Sequence, residues 1–210
     1  MSVVAPLLAA LVSVSPTAAP SPARVNAVPL DTAVLAGGCF WGVEGVFEHV
    51  KGVVQVISGY AGGTVPHPTS AQVYRGGTGH AESVEVIYDP ARVSFDQLLL
   101  VFFFVAHDPT QLNRQGPDVG PDYRSIAFYR DSAQHQSVTD AITRLRQRHV
   151  YADSVVTEVL ALRAFYPAEA EHQGFMQHHL TDPYTVTNDL PKLDALQHQF
   201  PTLYRAEWHD

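Results

Sequence analysis

Cys39 is the single cysteine of this 210-residue chain, and it stands in the run Gly37-Gly38-Cys39-Phe40-Trp41-Gly42. Before it, Thr32 to Ala36 is short and apolar and reads as a strand. After it, Phe40, Val43, Val46, Phe47 and Val50 recur at three- and four-residue spacing, as one face of a helix that should stop near Gly52. A sulfur at the start of that helix meets unpaired backbone N–H groups and the positive end of the helix dipole. This placement predicts a thiolate nucleophile at neutral pH. Two preceding glycines let the backbone turn tightly and admit a close ligand. The competing reading is inert packing, since free cysteines are among the most buried residue types.

Glu82 opens an alternating stretch at the same parity as Val84, Val86 and Tyr88, which directs its carboxyl toward the core. Desolvation raises the pKa of such a carboxyl and makes it a proton donor near neutrality, unless it reaches solvent at the strand end. Glu85, of opposite parity, is expected to be solvated. Tyr60 and Tyr123 sit beside glycine-containing loops, where a phenol can reach a ligand oxygen, and Asp118 and Asp122 read as turn residues. The eleven histidines include Glu171-His172 and His178-His179, but adjacent helical residues point apart and no zinc signature is present, so no metal site is expected.

These residues need a scaffold, and the rest of the chain supplies one. Val53 to Ser58, Ala81 to Tyr88, Ser125 to Tyr129 and Val155 to Leu160 read as further strands. Ser94 and Gln97 form a capping box before the apolar run Leu98 to Ala106, which is expected to be the central core helix. Asp131 to Val150 reads as a surface helix, Ala168 to Leu180 as another, and the tail from Asn188 to Asp210 as partly helical at best. Two long irregular connections, Thr64 to Gly79 and His107 to Tyr123, are rich in Pro and Gly and have the length of functional loops. The irregular alternation, with no phosphate-binding glycine fingerprint after the first strand, predicts an α+β fold and not a doubly wound parallel sheet. It is a two-layer sandwich of helices on a small mixed β-sheet, with long functional loops.

Composition excludes several classes. Thirteen Lys and Arg against 21 Asp and Glu leave a net charge of -8, which argues against a nucleic-acid partner. One cysteine excludes an internal disulfide. Residues 1–29 carry no charged side chain before Arg24 and read as a signal-like or disordered segment, although a basic n-region is missing. A cytoplasmic location, or export if that segment is a signal peptide, both fit. Its apolar run is too short to span a bilayer, so no integral membrane association is expected.

Several motifs occur together: Gly38-Cys39-Phe40-Trp41-Gly42-Val43-Glu44, Ser58-Gly59-Tyr60-Ala61-Gly62-Gly63, Thr78-Gly79-His80-Ala81-Glu82, and Tyr88-Asp89-Pro90. His107-Asp108-Pro109-Thr110-Gln111 follows, then Asn113 to Gly120 and Tyr123-Arg124-Ser125. In this order, from about Thr32 to about Leu203, they resemble the A family of peptide methionine sulfoxide reductases. Ala168-Glu169-Ala170-Glu171-His172-Gln173 and Asn188-Asp189-Leu190-Pro191-Lys192 are similar to family sequences as well. The resemblance implies that residues 30–210 form one catalytic domain reducing the S epimer of methionine sulfoxide, free or in proteins, in repair after oxidative damage. It makes Cys39 the nucleophile, Glu82 the acid that protonates the sulfoxide oxygen, and Tyr123 a hydrogen-bond donor to that oxygen. Phe40 and Trp41 become the pocket for the substrate methyl group, and Asp118 part of the substrate site. Where the family has a second site tyrosine this chain has Ser70, so that Tyr60 or Tyr74 would have to compensate, and Tyr60 is taken as a substrate-site residue.

No bound cofactor and a monomer are expected. With no second thiol in the chain, the sulfenic acid formed on Cys39 must be reduced by an external thiol, either thioredoxin or glutathione with glutaredoxin. Two other readings compete: a cysteine hydrolase using Cys39 with His80 or His107 as base, and a binding domain for methionine-rich peptides in which the cysteine is incidental.

Overall fold

The structure is a computed structural model that describes Met1 and residues 29–208. The signal-like segment 1–29 lies outside the described residues, apart from its two ends. In chain order the elements are β1 (Asp31–Ala36), α1 (Phe40–Glu48), β2 (Val53–Ala61), α2 (Ser70–Tyr74), β3 (Ala81–Tyr88) and α3 (Phe95–Val101). A π-helical turn, Phe102–Ala106, continues α3; then come β4 (Arg114–Gln115), β5 (Asp118–Val119) and β6 (Ile126–Tyr129). The remainder is α4 (Ser132–Gln147), β7 (Glu158–Ala161), β8 (Phe165–Pro167), α5 (Phe175–His178) and α6 (Leu190–Gln199).

Six strands form one sheet in the order β7-β6-β1-β3-β2-β8, antiparallel throughout except for β6 and β7. The α+β architecture with a mixed sheet is therefore the one expected. The β1–β3 register, running from Asp31 opposite Tyr88 to Leu35 opposite Val84, places the end of β1 and the start of β3 at the same edge of the layer. That arrangement brings Cys39, three residues beyond β1, close to Glu82.

The helix at the centre is α1 and not the Leu98 to Ala106 run. All of α1 except Trp41 is buried, including Glu44 and Glu48, because strands lie on one side and α5, α6 and the later turns close over the other. The Ser94–Gln97 capping box is present and starts α3 as expected, but Leu100 remains 45% exposed and the last turn widens to π geometry. Both long loops contain structure that composition alone concealed. Thr69 caps α2 with its own box, and the second loop folds into the β4–β5 hairpin and a 3-10 turn, Pro121–Tyr123. The helix expected over Ala168 to Leu180 shrinks to a 3-10 turn, Ala170–His172, and the four-residue α5. Gly174 at φ +60 separates them, and the Gln173 amide is diverted to the sheet, accepting from the N–H of Ser58 and donating to its carbonyl.

Candidate active site

Cys39 is the N-cap residue of α1, with φ -52 and ψ 121, and is partly exposed. The chain reaches this position by turning over Gln115 and His107. A Cβ on Gly38, at φ +92, would stand 2.5 Å from the Gln115 side chain, and one on Gly37 would stand 2.8 Å from His107 Cγ. Gln115 is itself held by Asp108, donating to its carbonyl at 3.0 Å and accepting from its N–H at 3.2 Å. The glycines before the cysteine thus serve close packing as well as the turn.

Glu82 lies on β3 with the buried parity expected of it, opposite Tyr60. Its Oε2 accepts the Phe40 N–H at 3.0 Å, so the carboxyl occupies one of the unpaired donors at the start of α1. Burial nonetheless pushes its pKa up to about 8, against that hydrogen bond and with the help of Asp122 and Asp118. Glu82 is therefore mostly protonated at neutral pH. Glu85, expected to be solvated, is half-buried and its pKa is also raised by desolvation.

The thiol departs from expectation. Burial, followed by the carboxylates of Glu82 and Asp189, raises the Cys39 pKa well above the usual thiol value. The Trp41 N–H and Lys192 pull it down, but they are the weaker influences. The helix start acts as predicted; what overrides it is burial first, and then carboxylates distant in sequence.

A cleft of about 280 Å³ opens at Cys39, lined also by Phe40, Trp41, Ser70, Tyr74, Glu82, Asp118, Tyr123, His172 and Tyr184. Of the residues singled out in the sequence, Cys39, Glu82, Tyr123, Phe40, Trp41 and Asp118 meet here. The Tyr123 pKa is raised by burial and then by Glu82, so its phenol stays a donor. Trp41 stacks on Phe175 with centroids 3.6 Å apart, and its Nε1 donates to His172 Nδ1 at 3.3 Å, which fixes the indole as one wall. Tyr60 is not part of the lining. It is 1% exposed and its hydroxyl donates to Glu169 Oε2 at 3.2 Å, behind Phe40. Ser70 and the exposed Tyr74 do reach the cleft, the Ser70 N–H donating to Glu169 Oε1 at 2.9 Å. An apolar groove of similar size between α3 and α4 holds no nucleophile.

His172 and Tyr184 are cleft residues that sequence reasoning did not find. Tyr184 donates its hydroxyl to Asp118 Oδ2 and meets Trp41 edge-on at 6.1 Å. Its only sequence signal is the turn-forming Asp182-Pro183 before it; His172 belongs to the family-like stretch Ala168 to Gln173, which carries no site role in the sequence.

The histidines required by a hydrolase are committed elsewhere. His80 Nδ1 accepts the Gly63 N–H, so its Nε2–H donates to the Val65 carbonyl at 2.8 Å. His107 donates from Nδ1 to the Phe102 carbonyl and accepts from Ser125 Oγ at Nε2, and burial pushes its pKa down to about 4. Neither ring has a nitrogen available to take a thiol proton. Among the described residues no group of three or more His, Cys, Asp or Glu is placed to hold a metal ion.

Comparison with known proteins agrees with this geometry. The family model described as peptide methionine sulfoxide reductase matches residues 31–203. Peptide methionine sulfoxide reductase MsrA 2 of Mesorhizobium japonicum is 51% identical over 174 residues, 83% of this chain and 89% of that protein. MsrA of Thermus thermophilus is 43% identical, covering 85% of this chain and 99% of its own. Among solved structures, methionine sulfoxide reductase A of Corynebacterium diphtheriae superposes with a TM-score of 0.70 at 34% identity, over 78% of this chain and 84% of that one. Mxr1 from Saccharomyces cerevisiae in reduced form gives 0.68 at 29% identity, over 73% and 87%. The chain belongs to the A family of peptide methionine sulfoxide reductases.

Proposed function

We propose that this chain reduces the S epimer of methionine sulfoxide with Cys39 as nucleophile and Glu82 as general acid. The observation that supports this most is the buried carboxyl of Glu82, held by the first N–H of α1 in the same small cleft as the sulfur, where burial raises its pKa to about 8. Sγ attacks the sulfoxide sulfur while Glu82 protonates the sulfoxide oxygen and Tyr123 donates a hydrogen bond to it. Oxygen then passes to Sγ as the substrate sulfur–oxygen bond and the transient Sγ–sulfur bond both break, and methionine leaves with two electrons gained. Cys39 becomes a sulfenic acid, and the thiol proton restores Glu82. Phe40 and Trp41 give the methyl group an apolar wall, and Asp118, oriented by Tyr184, faces the polar part of the substrate.

Turnover then depends on thiols from outside the chain. One thiol condenses with the sulfenic acid to a mixed disulfide and water, and a second releases Cys39. A monothiol such as glutathione, passed on through glutaredoxin, suits a lone sulfenic acid. Thioredoxin acts more readily on an intramolecular disulfide, which this chain does not form. The reading is tested by supplying each epimer of a methionine sulfoxide with a thiol and measuring methionine. Only the S epimer is consumed, and Cys39→Ser consumes neither; equal rates on both epimers would overturn the stereochemical part.

A further inference from the structure

Asp189 is fully buried, at 0% exposure, where the π-helical turn Thr185–Asp189 meets α6. Its Oδ1 accepts from Lys192 Nζ at 3.1 Å, while Oδ2 has no hydrogen-bond partner among the described residues. A buried ion pair of this kind is a poor source of stability, because desolvation offsets the attraction, so its location asks for another reason. Gly42 fixes that location. A Cβ there would stand 2.1 Å from Asp189 Oδ1 and 2.5 Å from Lys192 Nζ, so the pair fills the space a side chain would take. Gly42 follows Cys39 by three residues, one turn along the same face of α1, where side chains lie about 5–6 Å apart. Neither Asp189 nor Lys192 is among the residues lining the cleft.

We propose that the Asp189–Lys192 ion pair is a positioning device for the reaction, setting the charge on Cys39 from behind the first turn of α1. The ammonium favours the thiolate; the carboxylate anchors the ammonium and limits the charge it presents. The influences on the sulfur have these signs, Asp189 raising the thiol pKa and Lys192 lowering it. The other groups facing the sulfur are Glu82 from β3, the Trp41 N–H from α1, Tyr123 from the 3-10 turn and Tyr184 from the segment before the π turn. Asp118 and Asp182 face Asp189, and His107 faces Lys192. The inference rests on Cys39 being the nucleophile, yet its test does not, since alkylation of the thiol needs no sulfoxide chemistry.

The test is the rate of alkylation of Cys39 by iodoacetamide as a function of pH, on the full chain and on Asp189→Asn, Lys192→Met and the double variant. A charge at about 4–6 Å shifts a pKa by ~1–3 units. Asp189→Asn is expected to lower the midpoint by about one unit and to speed alkylation near neutrality up to about tenfold, and Lys192→Met to raise the midpoint by a similar amount. A pair that served packing alone would move both variants in the same direction. That result, or a midpoint unmoved in both, would overturn the proposal. Should Lys192→Met not fold, with its carboxylate uncompensated, the double variant is compared with Asp189→Asn. The two differ only by the ammonium, and coincident midpoints would refute its role. Loss of sulfoxide reduction in Cys39→Ser, measured separately, tests the nucleophile itself.

Discussion

Two opposite pH dependences meet at the sulfur. Cys39 ionises late, so its alkylation should rise with pH through the neutral range, whereas Glu82 donates a proton only below about pH 8. Single-turnover sulfoxide reduction should therefore fall above about pH 8 while alkylation is still rising. Rapid-quench kinetics beside alkylation kinetics would show this, and parallel profiles would mean that another group supplies the proton. Glu82→Gln should slow reduction by about 10²-fold or more, the usual scale of general acid catalysis. The same variant should be more stable at alkaline pH. A folded-state pKa above the unfolded 4.5 means that folding takes up a proton, so the Glu82 contribution is fully present below pH 4.5 and lost as pH rises through about 8. The amide escapes that loss, and denaturation at about pH 9 should show a gain of ~2 kcal/mol or more, with little difference near pH 4. The parity of Glu82 with Val84 and Val86 made this carboxyl legible in the sequence. The suppressed ionisation of Cys39 was not, because its main cause is burial, which only the fold creates, and Asp189, which adds to it after Glu82, lies 150 residues away in the chain.

At the scale of elements, the cleft depends on segments that cross the chain to reach α1. Gln173 stands in for a strand residue. It accepts the Ser58 N–H at 3.0 Å and donates to the carbonyls of Ser58 and Ala168 at 2.9 and 3.0 Å, fixing the turn that presents His172 to Trp41. Gln173→Leu keeps the bulk and strips the Ser58 N–H and the Ala168 carbonyl of this partner, while the Ser58 carbonyl keeps the Ala168 N–H. It should cost about 2 kcal/mol or more in urea denaturation and raise KM more than it lowers kcat. A change in kcat alone would show that His172 and Trp41 do not depend on this clamp. Helical periodicity found α1 and α4, and the capping box found the start of α3, because those signals are local. Periodicity failed over Ala168 to Leu180, where an apparently helical run gives up its regularity to complete the edge of β2. Apolar composition ranked the Leu98 to Ala106 run as central when α1, with two glutamates, is the enclosed helix. Hydrophobicity marks what is apolar; only topology decides what is surrounded.

Several buried titratable groups among the described residues set the stability profile of the whole molecule. Burial raises Glu44 to about 8 and Glu48 to about 7, as it raises Glu82 to about 8. These acids lose their contribution as pH climbs from 4.5 through 8. Burial lowers His49 and takes His107 down to about 4, so both bind a proton less readily folded than unfolded and weaken the fold as pH drops below 6.5. Three acids outweigh two histidines, so together the two sets predict stability that falls as pH rises from about 5 to 8 and levels off beyond. Urea denaturation across that range measures it, and a plateau from pH 6 to 9 would refute the burial of the acids in neutral form. The central claim concerns a single atom, Cys39 Sγ, in a chain with no second thiol. Mass spectrometry of the protein after a pulse of S sulfoxide, without reductant, tests it most directly. One equivalent of methionine should appear together with one oxygen gained at Cys39; a full equivalent released from protein whose Cys39 is unmodified would contradict the account.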